Sequence, residues 1–212
     1  MPNRPRANID PVSSRPPIPD PDLVVRDEDW YGRDVSELSF DGHSFLDVDF
    51  SEVTGDGAVF KDCTFANVRF NASRHTASVF ANCTFRKCTF FDTEFTGCKL
   101  VGSLFQQCEF TLLKVKGGDW SFCGLPGADL KGSQFDGVRM READLTGARL
   151  ENATLTACDL SGAQLHSTNL VGADLRGSDL SSLDPLTAQL KGAKIDGEQA
   201  AVVATALGFT VC

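Results

Sequence analysis

Three histidines, eight cysteines and 29 acidic side chains are the residues of this 212-residue chain with the means to do chemistry. His43, His75 and His166 lie far apart and occupy three different positions relative to the apolar residues around them, so a metal triad or a histidine-based dyad would be accidental. Neither a glycine-rich phosphate loop nor a nucleophile elbow is present. No catalytic residue, metal ligand or cofactor is therefore assigned. An even number of cysteines would suggest a disulfide framework in a short secreted chain. Seven of them (Cys63, Cys83, Cys88, Cys98, Cys108, Cys123 and Cys158) instead recur in one slot of a regular pattern, shared with Ala, Ser and Thr. A buried free cysteine packs as a small hydrophobe, so packing accounts for them, and only the final residue, Cys212, stands outside the pattern. The carboxylates carry the remaining chemistry. A formal charge of −9 and a pI near 4.8 argue against direct binding to nucleic acid, which calls for a Lys/Arg patch.

The pattern that positions all of these groups has a period of five. From Phe40 to Ile195 every fifth residue falls in one frame of 32 positions, and all but Gly55, His75 and Pro185 are large apolar residues. Val25, Trp30 and Val35 extend the frame upstream, so the first coil begins near Val25 in degenerate form. An α-helix advances about 100° per residue and would smear such anchors around its surface. A straight strand would flip each successive anchor to the other face. A chain that turns a corner every five residues keeps them all inside. The residue two before the anchor is small almost throughout (Ala58, Cys63, Cys83, Ser103, Ala143, Ala173), as it must be where such segments converge. Glycine recurs two after the anchor, as at Gly97, Gly127, Gly147 and Gly177, where the corner needs a permissive backbone. His75 and Pro185 break the rule, and a bent coil or a partner contact is expected at each.

The two ends read differently. Residues 1–21 are rich in Pro, Arg and Asp without periodic apolar positions and read as a disordered arm. Residues 22–195 are the repeat column, and residues 196–212 a terminal segment. There Asp196 with Gln199 forms a capping-box variant and Gly208 suits the residue after a helix, so a short helix is expected. It is apolar on nearly all sides and should be buried, which one column end cannot do on every side and a second subunit can. Without a signal-peptide core or an 18-residue apolar run, the expected location is the cytoplasm.

The blocks Ala128-Asp129-Leu130-Lys131-Gly132, Ala143-Asp144-Leu145-Thr146-Gly147 and Ala173-Asp174-Leu175-Arg176-Gly177 resemble the A(D/N)LXX signature of the pentapeptide-repeat family. The resemblance implies an all-β fold, a right-handed quadrilateral β-helix with four pentapeptides per coil, capped by the short C-terminal helix. Residues 20 apart would then stack, and eight coils would rise about 38 Å. The terminal D-x-x-Q-A-x-x-x-A segment is similar to that of the actinobacterial, MfpA-like fluoroquinolone-resistance branch of the family, which with the Qnr-type proteins forms one group. That likeness implies a homodimer through Leu190, Ile195, Ala200, Val203, Leu207 and Phe209, with a monomeric cap as the alternative. Qnr proteins of Gram-negative hosts carry projecting loops; the uninterrupted frame here leans to the loopless actinobacterial, MfpA-like type.

Proteins of that branch are described as mimics of B-form DNA that bind DNA gyrase and related type II topoisomerases and protect them from quinolones. Residues 22–62 hold 12 acids and 3 bases, 63–116 hold 3 and 7, and 117–212 hold 12 and 7. Pairing through the C-termini would place the third stretch at the middle of a dimer about 80 Å long. Stacking by 20 aligns Asp119, Arg139, Asp159 and Asp179 on one face and Asp144, Gln164 and Asp184 on the next, with Asp129 and Asp174 on neighbouring faces. These aspartates are the expected partner-binding ladder. Asp before the anchor also belongs to the repeat signature, where turn hydrogen bonds and solubility alone would explain it. A generic interaction scaffold without DNA mimicry is the alternative function.

Overall fold

A computed structural model describes residues 23–212; the Pro-rich segment 1–21 lies outside them. Short parallel strands stack in register at a constant offset of 20 residues. Val24–Arg26 pairs with Ser44–Leu46, then Thr64–Ala66, Thr84–Arg86 and Leu104–Gln106. Single bridges continue that face through Gly124, Asp144 and Gln164, so its first and last levels lie about seven turns apart. Three further faces are built likewise, and together they make the expected quadrilateral β-helix, beginning at Val25.

The core follows from the anchors. Phe45, Phe65, Phe85 and Phe105 form one column of parallel rings with centroids 4.9, 4.9 and 4.7 Å apart, and rings of adjacent faces meet edge-on. Each fully buried ring contributes roughly 1.5–3 kcal/mol by transfer alone, and each aromatic pair about 0.5–1.5 kcal/mol more. At Trp120 the core passes from Phe to Leu. The indole stacks on Phe105 at 5.9 Å, and the coil just before it draws in at Gly118 (φ 90°), where a Cβ would lie 2.2 Å from the Cys98 carbonyl oxygen.

The small slot also has a chemical preference. Ser103 Oγ donates to the Phe80 carbonyl at 2.7 Å, Thr168 Oγ1 to Leu145 at 3.0 Å and Cys88 Sγ to Phe65 at 3.4 Å, each to an anchor 23 residues earlier. A short side chain with one proton bonds the preceding coil without filling the core, so Cys, Ser and Thr share the slot with Ala.

The corner residue two after the anchor adopts positive φ whether or not it is glycine: Asp62 (51°), Asn82 (52°), Leu112 (57°) and Phe122 (60°) match Gly97 (64°). This conformation turns its N–H along the column axis, as in Gly97 N–H to Lys116 O at 2.8 Å. Non-glycine residues there carry strain of about 1–2 kcal/mol each.

His75 does not bend the coil. It is paired in register between Gly55 and Phe95, fully buried, and stacked on the Phe95 ring at 5.2 Å. Gly55 makes room, since Val35 and His75 close in on the place where its side chain would stand. At Pro185 the coil does depart: Ser182 and Thr187 lack the positive φ of their slot, and the Asp184 carboxylate and carbonyl oxygens instead accept N–H groups from Leu186, Thr187 and Ala188.

The terminal helix spans Gly197–Ala206 with the expected reciprocal capping box between Asp196 and Gln199. Within one chain it is covered only on the side that meets the column. Gln199 alone is buried, its Nε2 donating to the Leu175 and Ser178 carbonyls at 2.6 and 2.7 Å, while the outer side of the helix faces solvent. A helix laid across one end of a column has only one side to bury. No helix among the described residues is long and apolar enough to cross a membrane.

Candidate partner-binding faces

The seven nominated aspartates stand just before their anchors with side chains directed outward, and bridges at an offset of 20 run from Asp119 to Arg139 and on to Asp159, and from Asp144 to Gln164, with none to Asp179 or Asp184 among the described residues. Each carboxylate accepts the N–H two residues ahead, for example Thr146 to Asp144 at 2.9 Å and Ser181 to Asp179 at 2.8 Å. The aspartate is thus first a turn former, because its short acceptor reaches the corner amide.

Four of the seven are also paired with arginine. Asp119 meets Arg139 at 3.1 Å, Asp129 meets Arg149 at 3.1 Å, Asp159 meets Arg141 at 3.5 Å and Asp174 meets Arg176 at 2.7 Å. Burial pushes the Asp119 carboxyl up, but hydrogen bonds from Ser121 and the Arg139 guanidinium outweigh it and leave it below the usual range. Ser161 is the main cause of the lowering at Asp159, and Arg176 at Asp174. Asp144, Asp179 and Asp184 have no ion-pair partner among the described residues, so the stack is an alternating charge pattern with three open carboxylates.

Unpaired acid is denser at the other end of the column. Asp29, Asp34, Asp41, Asp56 and Asp62 project from the first coils without ion pairs among the described residues, whereas Asp49 is held by Arg69 at 2.7 Å. The 12 acids and 3 bases of residues 22–62 carry that signal in the sequence.

At the C-terminal end, Leu190, Ile195 and Val203 come together around a 150 Å³ depression completed by Leu175, Leu183 and Ala193. Ala200 is exposed, and Leu207 and Phe209 stand further out at 44% and 66% exposure, joined by Val202 and Val211. Leu112 and Phe122, each 54% exposed, were also missed, although both sit in a corner slot otherwise given to small or polar residues. The three histidines are apart: His43 lies edge-on to Phe40, His75 is in the core and His166 is exposed. Among the described residues no three His, Cys, Asp or Glu side chains are grouped to hold a metal.

The fold defines a parallel repeat solenoid, and the sequence profiles assign it. The profile described as pentapeptide repeats matches residues 123–162, 143–181 and 158–197, and that of a pentapeptide repeat region matches 60–139, so the chain belongs to the pentapeptide-repeat family. No curated protein matches the sequence. Among solved structures, full-length QnrB1, a plasmid-mediated fluoroquinolone resistance protein, aligns with TM-score 0.64 and 18% identity over 88% of this chain and 100% of its own. A trypsin-treated variant of QnrB1 aligns with TM-score 0.58 and 21% identity over 90% and 98%. HetL, a pentapeptide-repeat protein involved in heterocyst differentiation regulation in the cyanobacterium Nostoc, gives 0.43 and 20% over 81% and 84%.

Proposed function

We propose that this protein is a non-enzymatic, cytoplasmic binding rod whose partner is DNA gyrase or a related type II topoisomerase, which it engages where the enzyme would hold DNA and so shields from quinolone-like poisons. The observation that carries this reading is a column that presents the outward carboxylates of Asp119, Asp144, Asp159, Asp174, Asp179 and Asp184 over successive coils. Its likeness in fold to a fluoroquinolone resistance protein is consistent with it.

The mimicry is electrostatically thin. Four coils rise about 19 Å, over which a duplex carries about eleven phosphates, against a net −3 from the 10 acids and 7 bases of residues 117–195. Binding should therefore depend on salt less steeply than the enzyme's binding to DNA. The arginine pairing of Asp119, Asp129, Asp159 and Asp174 favours a second reading, a scaffold for another protein without DNA mimicry.

A homodimer through the C-terminal end forms part of the proposal. The exposed Ile195, Val202, Leu207 and Phe209 form a large apolar surface beside an apolar depression, and a second copy would cover both. The deciding experiment is inhibition of gyrase supercoiling by the purified protein, with and without ciprofloxacin, at two salt concentrations. Inhibition at low micromolar protein that weakens with salt and is lost in the Asp159→Lys, Asp179→Lys double variant supports mimicry. Inhibition unaffected by that double variant removes the ladder, and no inhibition with no drug protection leaves the scaffold.

A further inference from the structure

Two pairs of cysteines lie one coil apart in the inward slot, Cys63 above Cys83 and Cys88 above Cys108, each pair adjoining in-register strand residues (Thr64 with Thr84, Thr89 with Glu109). Cys88 and Cys108 have the same surroundings. Each Sγ sits 3.4 Å from the carbonyl of the anchor 23 residues earlier, Phe65 or Phe85, and 3.6 Å from the carbonyl two residues earlier, Arg86 or Gln106. Side chains in identical settings are separated by the coil rise, about 4.8 Å.

That spacing discriminates between the products two thiols can form. A disulfide needs sulfurs about 2.05 Å apart and Cβ atoms about 3.5–4.5 Å apart, so both thiols would have to leave their carbonyls and the coils would have to close. A zinc–thiolate bond is about 2.3 Å and a two-coordinate copper(I)–thiolate bond somewhat shorter, so two in line span a little under about 4.6 Å, close to the coil rise. Two sulfur donors in line are the preference of soft, low-charge ions.

We propose that Cys88 and Cys108 form a two-thiolate site for a soft monovalent ion of the copper(I) class. Two thiols lose their protons, two S–Cu bonds form, and the centre carries one negative charge with no change of oxidation state. Arg86 and Lys87, immediately before Cys88, line an open groove on the column and have no ion pair among the described residues, so they are free to offset that charge. Cys108 is partly exposed and gives the ion a way in, whereas Cys63 and Cys83 are both buried, Cys63 following the oppositely charged Lys61 and Asp62 and Cys83 the uncharged Ala81 and Asn82.

The test uses the reduced full-length chain carrying Cys212→Ala, titrated anaerobically with copper(I) against a chromogenic copper(I) chelator. One ion retained per chain, with release of about two protons, is expected. Cys88→Ala and Cys108→Ala should each weaken retention at least tenfold, while the Cys63→Ala, Cys83→Ala double variant should not. The same column holds Ala128 and Ala148 further down, so the alanine variants should keep the fold, checked by circular dichroism. Failure to compete with the chelator, or retention that persists in Cys88→Ala or Cys108→Ala, overturns the proposal.

Discussion

Replacing His75 with phenylalanine should make the protein more stable, and increasingly so as the pH falls. The imidazole takes a ring's place in an aromatic column, fully buried, with Nε2 3.2 Å from Ser73 Oγ and Nδ1 without a hydrogen-bond partner. Burial alone lowers its pKa from 6.5 to about 3. Between those values the unfolded chain takes up a proton that the folded chain refuses, so stability is full above pH 6.5 and declines as the pH falls toward 3. At about 1.4 kcal/mol per unit, the loss between pH 7 and 4.5 is about 3 kcal/mol. His75→Phe removes this linkage and also an unpaired buried nitrogen, itself costing about 1–3 kcal/mol. Urea unfolding of both proteins at pH 7, 6, 5 and 4.5 measures the difference. The paired carboxylates Asp49, Asp92, Asp119 and Asp174, lowered from 3.8, respond mainly below this window. A stability difference that stays constant across the four pH values would refute the reasoning.

Phe65→Ala should cost about 3–5 kcal/mol, because Phe65 is stacked on two rings and edge-on to others; denaturant midpoints read it directly. Gly118→Ala should be at least as damaging as a typical core truncation, since its methyl would overlap the Cys98 carbonyl and only backbone movement could relieve it; a thermal midpoint within a degree or two of the parent would contradict that geometry. Phe122→Asn should raise stability by up to about 1 kcal/mol by relieving a left-handed corner, again seen in the urea midpoint. Leu207→Glu should yield monomers by light scattering with the column intact; a variant that still dimerises would count against the proposed C-terminal interface.

The column was legible because its period of five admits one geometry, and the capping box because Asp196 and Gln199 carry complementary groups at the required spacing. The pairing of the acidic stack was within reach too: Arg139 and Arg149 lie 20 residues after Asp119 and Asp129, and an arginine at that offset is an ion-pair partner. One expectation failed for a physical reason. His75 suggested a bend because it is polar, yet an imidazole has nearly the shape of the ring it replaces and the absent side chain at Gly55 leaves it space. The apolar helix calls for more cover than one column end supplies, and a single chain shows only the column's share of it, at Gln199. Exposed Leu112 and Phe122 show that a corner's backbone is imposed by its hydrogen bonds to the next coil and not by its residue type.

The constant 20-residue register gives insertions and deletions an unusual arithmetic. Adding or removing one pentapeptide would leave every downstream anchor facing inward but rotate the whole outer surface beyond it by a quarter turn, dealing each charged residue to a new neighbour. Four pentapeptides together would restore the faces and only change the length of the rod by one coil. Recognition surfaces on this scaffold can therefore be rewritten by changes in length alone, with the interior left as it was.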